Sequence, residues 1–133
     1  MLVLIQYTLL NYFFVYDIIK KNYLGGAIME KYAWKARIVD GALDEYIRRH
    51  DAIWDEMKDV LARAGIVNYS IWNVGNELFG YYECEKGVEY AAKVQRESPV
   101  VDKWNEYMKD ILIMELDPET GAQPKLRQVF SFR

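Results

Sequence analysis

The chain has 133 residues, with 17 Lys and Arg against 20 Asp and Glu, for a formal net charge of −3. That length sets one domain as the default, and the acidic balance argues against a nucleic-acid footprint, which needs a basic patch or stripe. With one cysteine, Cys84, and one histidine, His50, the chain lacks the residues for a disulfide framework or a Cys/His zinc site, so no metal site of that kind is expected.

The first 28 residues stand apart. Met1 to Tyr16 is apolar but interrupted by Gln6, Thr8 and Asn11, and Lys20 and Lys21 follow the apolar run instead of preceding it. A secretory signal begins with positive charge and ends in a small-residue cleavage site, and this segment does neither. As a membrane span it is near the lower length limit. Gly25-Gly26-Ala27-Ile28-Met29 has the form of a translated ribosome-binding site, which makes Met29 the expected start. The expected division is an N-terminal extension at 1–28 and one domain at 29–133. The mass of the native N-terminus decides it: a cellular protein beginning at Met1 sinks the idea. A single thiol fits a reducing, cytoplasmic setting, with no membrane role unless the extension is made.

From Tyr32 to Val39 large and charged residues alternate, with Tyr32, Trp34, Ala36 and Ile38 on one face. This is a strand. Asp40-Gly41 ends it, and Asp40 is a plausible N-cap. From Leu43 the period becomes helical: Leu43, Ile47, His50, Trp54, Met57 and Leu61 share a stripe up to the stop at Gly65. Asp44 with Arg48, and Glu45 with Arg49, form i,i+4 pairs in the favourable order. Ile66–Asn73 reads as a strand with Val67, Tyr69 and Ile71 on one face. Val74-Gly75-Asn76 is a turn, and Glu77–Cys84 is the antiparallel return strand. Lys86–Gln95 is a short helix. Ser98-Pro99 is an N-cap with proline at N1, opening a helix through about Ile113. Leu126–Phe132 is the expected last strand.

The order is β-α-β-β-α-β, with the second helical region split in two. That is the ferredoxin-like arrangement, an α+β fold with one antiparallel sheet and helices on one face. The other face is too apolar to stay wet, with Trp72, Phe79 and Tyr81 on it. A second subunit packed partly sheet to sheet would cover it, so a homodimer is expected. At 15% of the residues, aromatic rings also exceed what a core needs, and surplus rings line pockets or interfaces.

His50 is the only side chain whose unperturbed pKa, about 6.5, lies near working pH. On a helix it shares a face with Tyr46. Spacing alone favours a histidine at the edge of an apolar stripe over a catalyst. Tyr46, Tyr69 and Trp104, taken singly, read as core or rim before they read as ligands. Asp51, Asp55 and Asp59 stand at i,i+4 on the wet face, where solvated charge is the better reading. There is no phosphate-cradling glycine loop and no nucleophile-elbow sequence around Ser70 or Ser98.

Glu45-Tyr-Ile-Arg-Arg-His-Asp-Ala-Ile-Trp-Asp-Glu-Met57 resembles the motif E-Y-x-R-R-H-x-x-I-W-P-E of the L-rhamnose mutarotases. The likeness continues through A-G-I-V-N-Y-S-I-W, E-L-F-G-Y-Y-E and D-K-W-N-E-Y-M, and ends in Q-P-K-L-R-Q-V-F-S-F. It spans Met29 to Phe132. The resemblance implies an isomerase that interconverts the α and β anomers of L-rhamnose without cofactor or metal, as a homodimer of ferredoxin-like subunits joined in a dimeric α/β barrel. It implies His50 as the catalytic residue and Tyr46, Tyr69, Trp104 and Asn105 as the substrate-binding set. Asn105 stands where better-known members carry a second tryptophan. An amide that donates and accepts hydrogen bonds replaces an apolar plane there, which leaves L-fucose or another sugar open as the substrate. The proline usual after the tryptophan is Asp55. Two readings from other classes stand beside this one: a non-catalytic ferredoxin-like dimeric binding module, and a heme- or quinone-handling monooxygenase.

Overall fold

A computed structural model describes residues 29–119 and 123–132; the 1–28 extension lies outside the described residues. Strand β1 is Glu30–Ile38, β2 Ile66–Val74, β3 Glu77–Cys84 and β4 Leu112–Ile113. Helix α1 is Leu43–Asp51, α2 Asp55–Arg63, α3 Val88–Arg96 and α4 Pro99–Met108. The chain order is β-α-α-β-β-α-α-β, and the sheet order is β2-β3-β1-β4, antiparallel throughout.

The sheet centres on β1 and β3, paired from Glu30↔Cys84 to Arg37↔Glu77. Strand β3 alternates as its sequence requires: Leu78, Gly80, Tyr82 and Cys84 are buried against the helices, and the residues between them face the other way. Ala36, Ile38, Val60, Ala64, Leu78, Ala91 and Met108 form the tightest part of the core. Gly80 faces Trp34 in register, and the indole lies where a side chain at 80 would be. The hairpin turns at Gly75, whose φ of 55° is open to glycine at no steric cost.

Strand β2 departs from the expected alternation. Between Val67↔Glu83 and Ser70↔Tyr81 it carries one extra residue, a β-bulge. Asn68 occupies it at φ 51°, a left-handed conformation that asparagine tolerates better than other side chains. The bulge shifts the parity of the strand. Ile66 therefore faces the core in place of Val67, while Tyr69 and Ile71 keep the inward face. Asn68 donates to Glu83 at 2.7 Å, and Tyr81 donates to the same carboxylate at 2.9 Å, which pins the bulge on the outer side.

Other expectations are corrected. The helical stripe from Leu43 to Leu61 is two helices, because Trp54 is extended at φ −62° and ψ 143°. Asp55 then opens α2, with its carboxylate at the positive end of the helix and Lys58 2.9 Å away. Residue 42, not Asp40, precedes α1, without a side-chain cap. Asp40 instead accepts from the Asn76 amide and ties the start of α1 to the hairpin. The last helix stops at Met108, and the fourth strand is Leu112–Ile113, not Leu126–Phe132. Among the described residues the C-terminal segment bridges β1 only at Lys125; Val129, Phe130 and Phe132 stay 78–89% exposed. Alternation gives a segment the habit of a strand, but a strand also needs a neighbour's backbone groups, and within this chain the segment meets few. Ser98 caps α4 as expected, accepting from the Val101 amide with Pro99 at the first turn. Glu45 pairs with Arg49 as expected, whereas Arg48 turns to Glu45 at 2.6 Å. Among the described residues no helix is long and apolar enough to cross a membrane.

Candidate active site

Between the helices and the inner face of the sheet lies a cavity of about 680 Å³. Five side chains singled out in the sequence line it: Tyr46 and His50 from α1, Tyr69 from β2, Trp104 and Asn105 from α4. Tyr46 and Trp104 are buried, Tyr69 is 40% exposed, and Asn105 is exposed at the rim.

The i,i+4 spacing on α1 brings the Tyr46 and His50 rings to 4.2 Å between centroids. The Trp104 ring meets His50 edge-on at 5.4 Å and Trp54 edge-on at 5.2 Å. Trp54 reaches α4 because the chain breaks between α1 and α2. The His50 Nδ1 lies 3.0 Å from the Tyr46 carbonyl oxygen. A carbonyl only accepts, so the assigned tautomer has Nδ1 protonated and donating. That leaves the Nε2 lone pair as the base of the ring. Burial is the largest influence on His50 and lowers its pKa; the Tyr46 carbonyl and the Asp51 charge oppose this. At neutral pH the imidazole is therefore uncharged and able to accept a proton.

Burial acts on the tyrosines in the opposite direction. It raises the pKa of Tyr46, Tyr69, Tyr82 and Tyr32, because the phenolate is the charged form. Tyr69 is also raised by the neighbouring Tyr46 and Tyr32 hydroxyls and lowered by hydrogen bonding from Trp34. These phenols remain protonated and serve as hydrogen-bond donors to a polar guest. Tyr32 stacks on Tyr82 at 5.0 Å, and Tyr69 meets Tyr82 edge-on at the same distance.

Sequence reading overlooked part of the lining: Tyr32, Trp34, Tyr82, Gln95 and Gln123 also face the cavity. The alternation of β1 had already put Tyr32 and Trp34 on one face. What it lacked was the knowledge that this face borders a cavity and not solid core. Among the described residues no group of three or more His, Cys, Asp or Glu is placed to hold a metal ion. The buried Cys84 thiol is pushed up by burial, so it stays protonated and is no nucleophile.

The arrangement thus offers one proton acceptor, several neutral donors and an indole plane. A hydroxyl-rich ring with one apolar face matches that chemistry. Comparison with known proteins agrees. Residues 31–132 match the family model described as L-rhamnose mutarotase. A protein named L-rhamnose mutarotase from Jannaschia sp. (strain CCS1) is 37% identical over 99 residues, covering 72% of this chain and 92% of its own. Its namesake from Sinorhizobium fredii (strain NBRC 101917 / NGR234) is 37% identical over 111 residues, covering 77% and 97%. The crystal structure of an L-rhamnose mutarotase from Formosa agariphila superposes with a TM-score of 0.64 at 28% identity, covering 78% of this chain and 99% of that one. Motif, cavity and whole-domain similarity coincide, and the chain belongs to the L-rhamnose mutarotase family.

Proposed function

We propose that this chain is an isomerase that interconverts the α and β anomers of L-rhamnose, with His50 as the acid/base. The observation that carries the reading is the half-buried His50 imidazole, its Nδ1 held 3.0 Å from the Tyr46 carbonyl oxygen, inside a cavity it shares with the Tyr46, Tyr69 and Tyr82 side chains; burial favours its neutral form. In the forward step Nε2 takes the proton of the anomeric hydroxyl. The C1–O1 bond becomes a carbonyl, the bond from C1 to the ring oxygen breaks, and that oxygen receives a proton from the imidazolium or through Tyr46. The open aldehyde turns about C1–C2, and the ring oxygen adds to the opposite face as the protons retrace their path. No atom or electron is gained or lost. Tyr69 holds a sugar hydroxyl and Trp104 lies against the apolar face of the ring.

The spontaneous reaction already runs in water, so one positioned acid/base and a hydrogen-bonding shell suffice for a useful acceleration. Neither the binding module nor the monooxygenase finds a comparable observation in its favour. A ferredoxin-like homodimer forming a dimeric α/β barrel goes with the reading. Its support is the sheet face away from the cavity, where Trp72 is 70% and Val74 63% exposed beside Phe79 and Tyr81. The buried free thiol of Cys84 is consistent with a cytoplasmic setting.

Anomer exchange measured by saturation-transfer NMR across L-rhamnose, L-fucose and common aldoses tests the function. Acceleration is expected for L-rhamnose; none for any sugar in the panel would remove the mutarotase reading. The preference is tied to Asn105 at the rim. Asn105→Trp is expected to lower KM for L-rhamnose several-fold, about 1 kcal/mol for a 6-deoxy methyl held by a ring. An unchanged ratio between L-rhamnose and L-fucose would free Asn105 of that role.

A further inference from the structure

Helix α1 carries both Tyr46 and His50, yet it is only nine residues long, and the backbone breaks immediately after it. Something other than helix continuity must hold it at a fixed distance from Trp104. Arg49 is placed to do so. Its side chain is only 10% exposed, and its guanidinium grips Asp110 through two bonds of 2.7 and 3.0 Å. The same group donates to the Tyr107 carbonyl in the last turn of α4 and to Glu45 at 2.8 Å within α1. Its flat face lies 4.5 Å from the Tyr107 ring centroid. Tyr107 in turn packs on Trp104, and Trp104 on His50. The contacts close a loop: Arg49, Tyr107, Trp104, His50, and back along α1.

We propose that Arg49, held by Asp110, is a positioning residue that clamps α1 against the C-terminal end of α4 and so sets His50 opposite Trp104. This rests on the reading of His50 as the acid/base. Neither Arg49 nor Asp110 lines the cavity, so neither is a catalytic residue. A planar fork making two parallel bonds fixes orientation as well as distance, which a lysine cannot reproduce. A buried guanidinium is a costly way to gain stability alone. Its geometry is the better account of its presence.

The test uses Arg49→Lys, Asp110→Asn and the double variant. Asp110 is 62% exposed, and Arg49 keeps Glu45 and the Tyr107 carbonyl as partners when Asp110 is replaced, so a folded variant is expected, checked by its melting temperature. His50 is the only histidine in the chain, so its imidazole C2–H resonance reports its pKa without ambiguity. The charged group acting on that ring is Asp51 on its own helix, which also presents Tyr46; α3 brings Arg96 to the same cavity, α4 presents Trp104, and the sheet presents Tyr69 and Ile71. A loosened α1 lets water reach the ring. Each single variant is expected to lower kcat by about ten- to a hundredfold, as misplacement by an ångström does, with little change in KM. The His50 pKa should rise toward its ordinary value, and the double variant should be no worse than either single one. A folded Asp110→Asn protein with either kcat or the His50 pKa unmoved overturns the proposal. His50→Asn retaining wild-type activity would instead remove the acid/base reading itself, whatever Arg49 does.

Discussion

His50→Asn is expected to slow enzyme-dependent anomer exchange by about 10²- to 10⁴-fold, the range that a positioned general acid/base supplies. Asparagine keeps a hydrogen-bonding group near the Tyr46 carbonyl but has no lone pair that titrates near neutral pH. The spontaneous rate sets a floor, so the loss cannot exceed the acceleration the unaltered chain achieves. Folding should survive, since His50 is only half-buried and its one backbone bond lies within its own helix. Tyr46→Phe is expected to lose less, because the role proposed for the Tyr46 phenol is to orient the sugar or relay a proton, with His50 as the base. A folded His50→Asn protein with undiminished exchange would move the chemistry to the phenols.

The second large effect is expected at Gly80. A Cβ built there lies 2.0 Å from Cε2 and 2.2 Å from Nε1 of the Trp34 indole. Real side-chain carbons do not approach a neighbour that closely, and the neighbour is a rigid ring with 7% exposure. Gly80→Ala must therefore push Trp34 toward the cavity or spread β1 from β3. Overpacking of this kind costs about 1–3 kcal/mol. The displaced ring would also disturb Tyr69, which lines the same cavity as Trp34. The expected result is a lower melting temperature together with a raised KM, both partly restored in the double variant Gly80→Ala, Trp34→Phe. An unchanged melting temperature and KM would show that the indole has room to move.

Part of the candidate site was legible in the residues themselves, and the reason is local; Tyr69, Trp104 and Asn105 entered it only through the resemblance to the family. Helical spacing puts Tyr46 and His50 together because residues four apart share a helix face, whatever the rest of the chain does. The hairpin around Gly75 and the Ser98-Pro99 cap are also local signals, and both stand where the residues put them. What misled was non-local. The stripe from Leu43 to Leu61 is periodic enough for one helix, but Trp54 has partners on α4, Trp104 and Tyr107, that only a break can reach. Val67 has the right parity for an unbroken strand, and the bulge at Asn68 overrides it so that Ile66 and Tyr69 can both face inward. Leu126–Phe132 alternates like a strand, but its pairing partner is not written in its own residues. Arg49 was visible as one half of an i,i+4 pair; its grip on Asp110, 61 residues away, was not.

The most direct measurement is kcat/KM for L-rhamnose anomer exchange as a function of pH, between about pH 5 and 8, where an imidazole changes charge. On the proposed role of His50 the working form is the neutral ring, and burial lowers the pKa of His50. Activity should therefore be level at neutral pH and fall as the pH drops through an apparent pKa below the ordinary 6.5. That value should coincide with the one read from the single imidazole resonance, and the acid limb should vanish in His50→Asn. A flat profile in the unaltered chain, or an acid limb that persists without His50, would contradict the assignment of His50 as the base that opens the sugar ring.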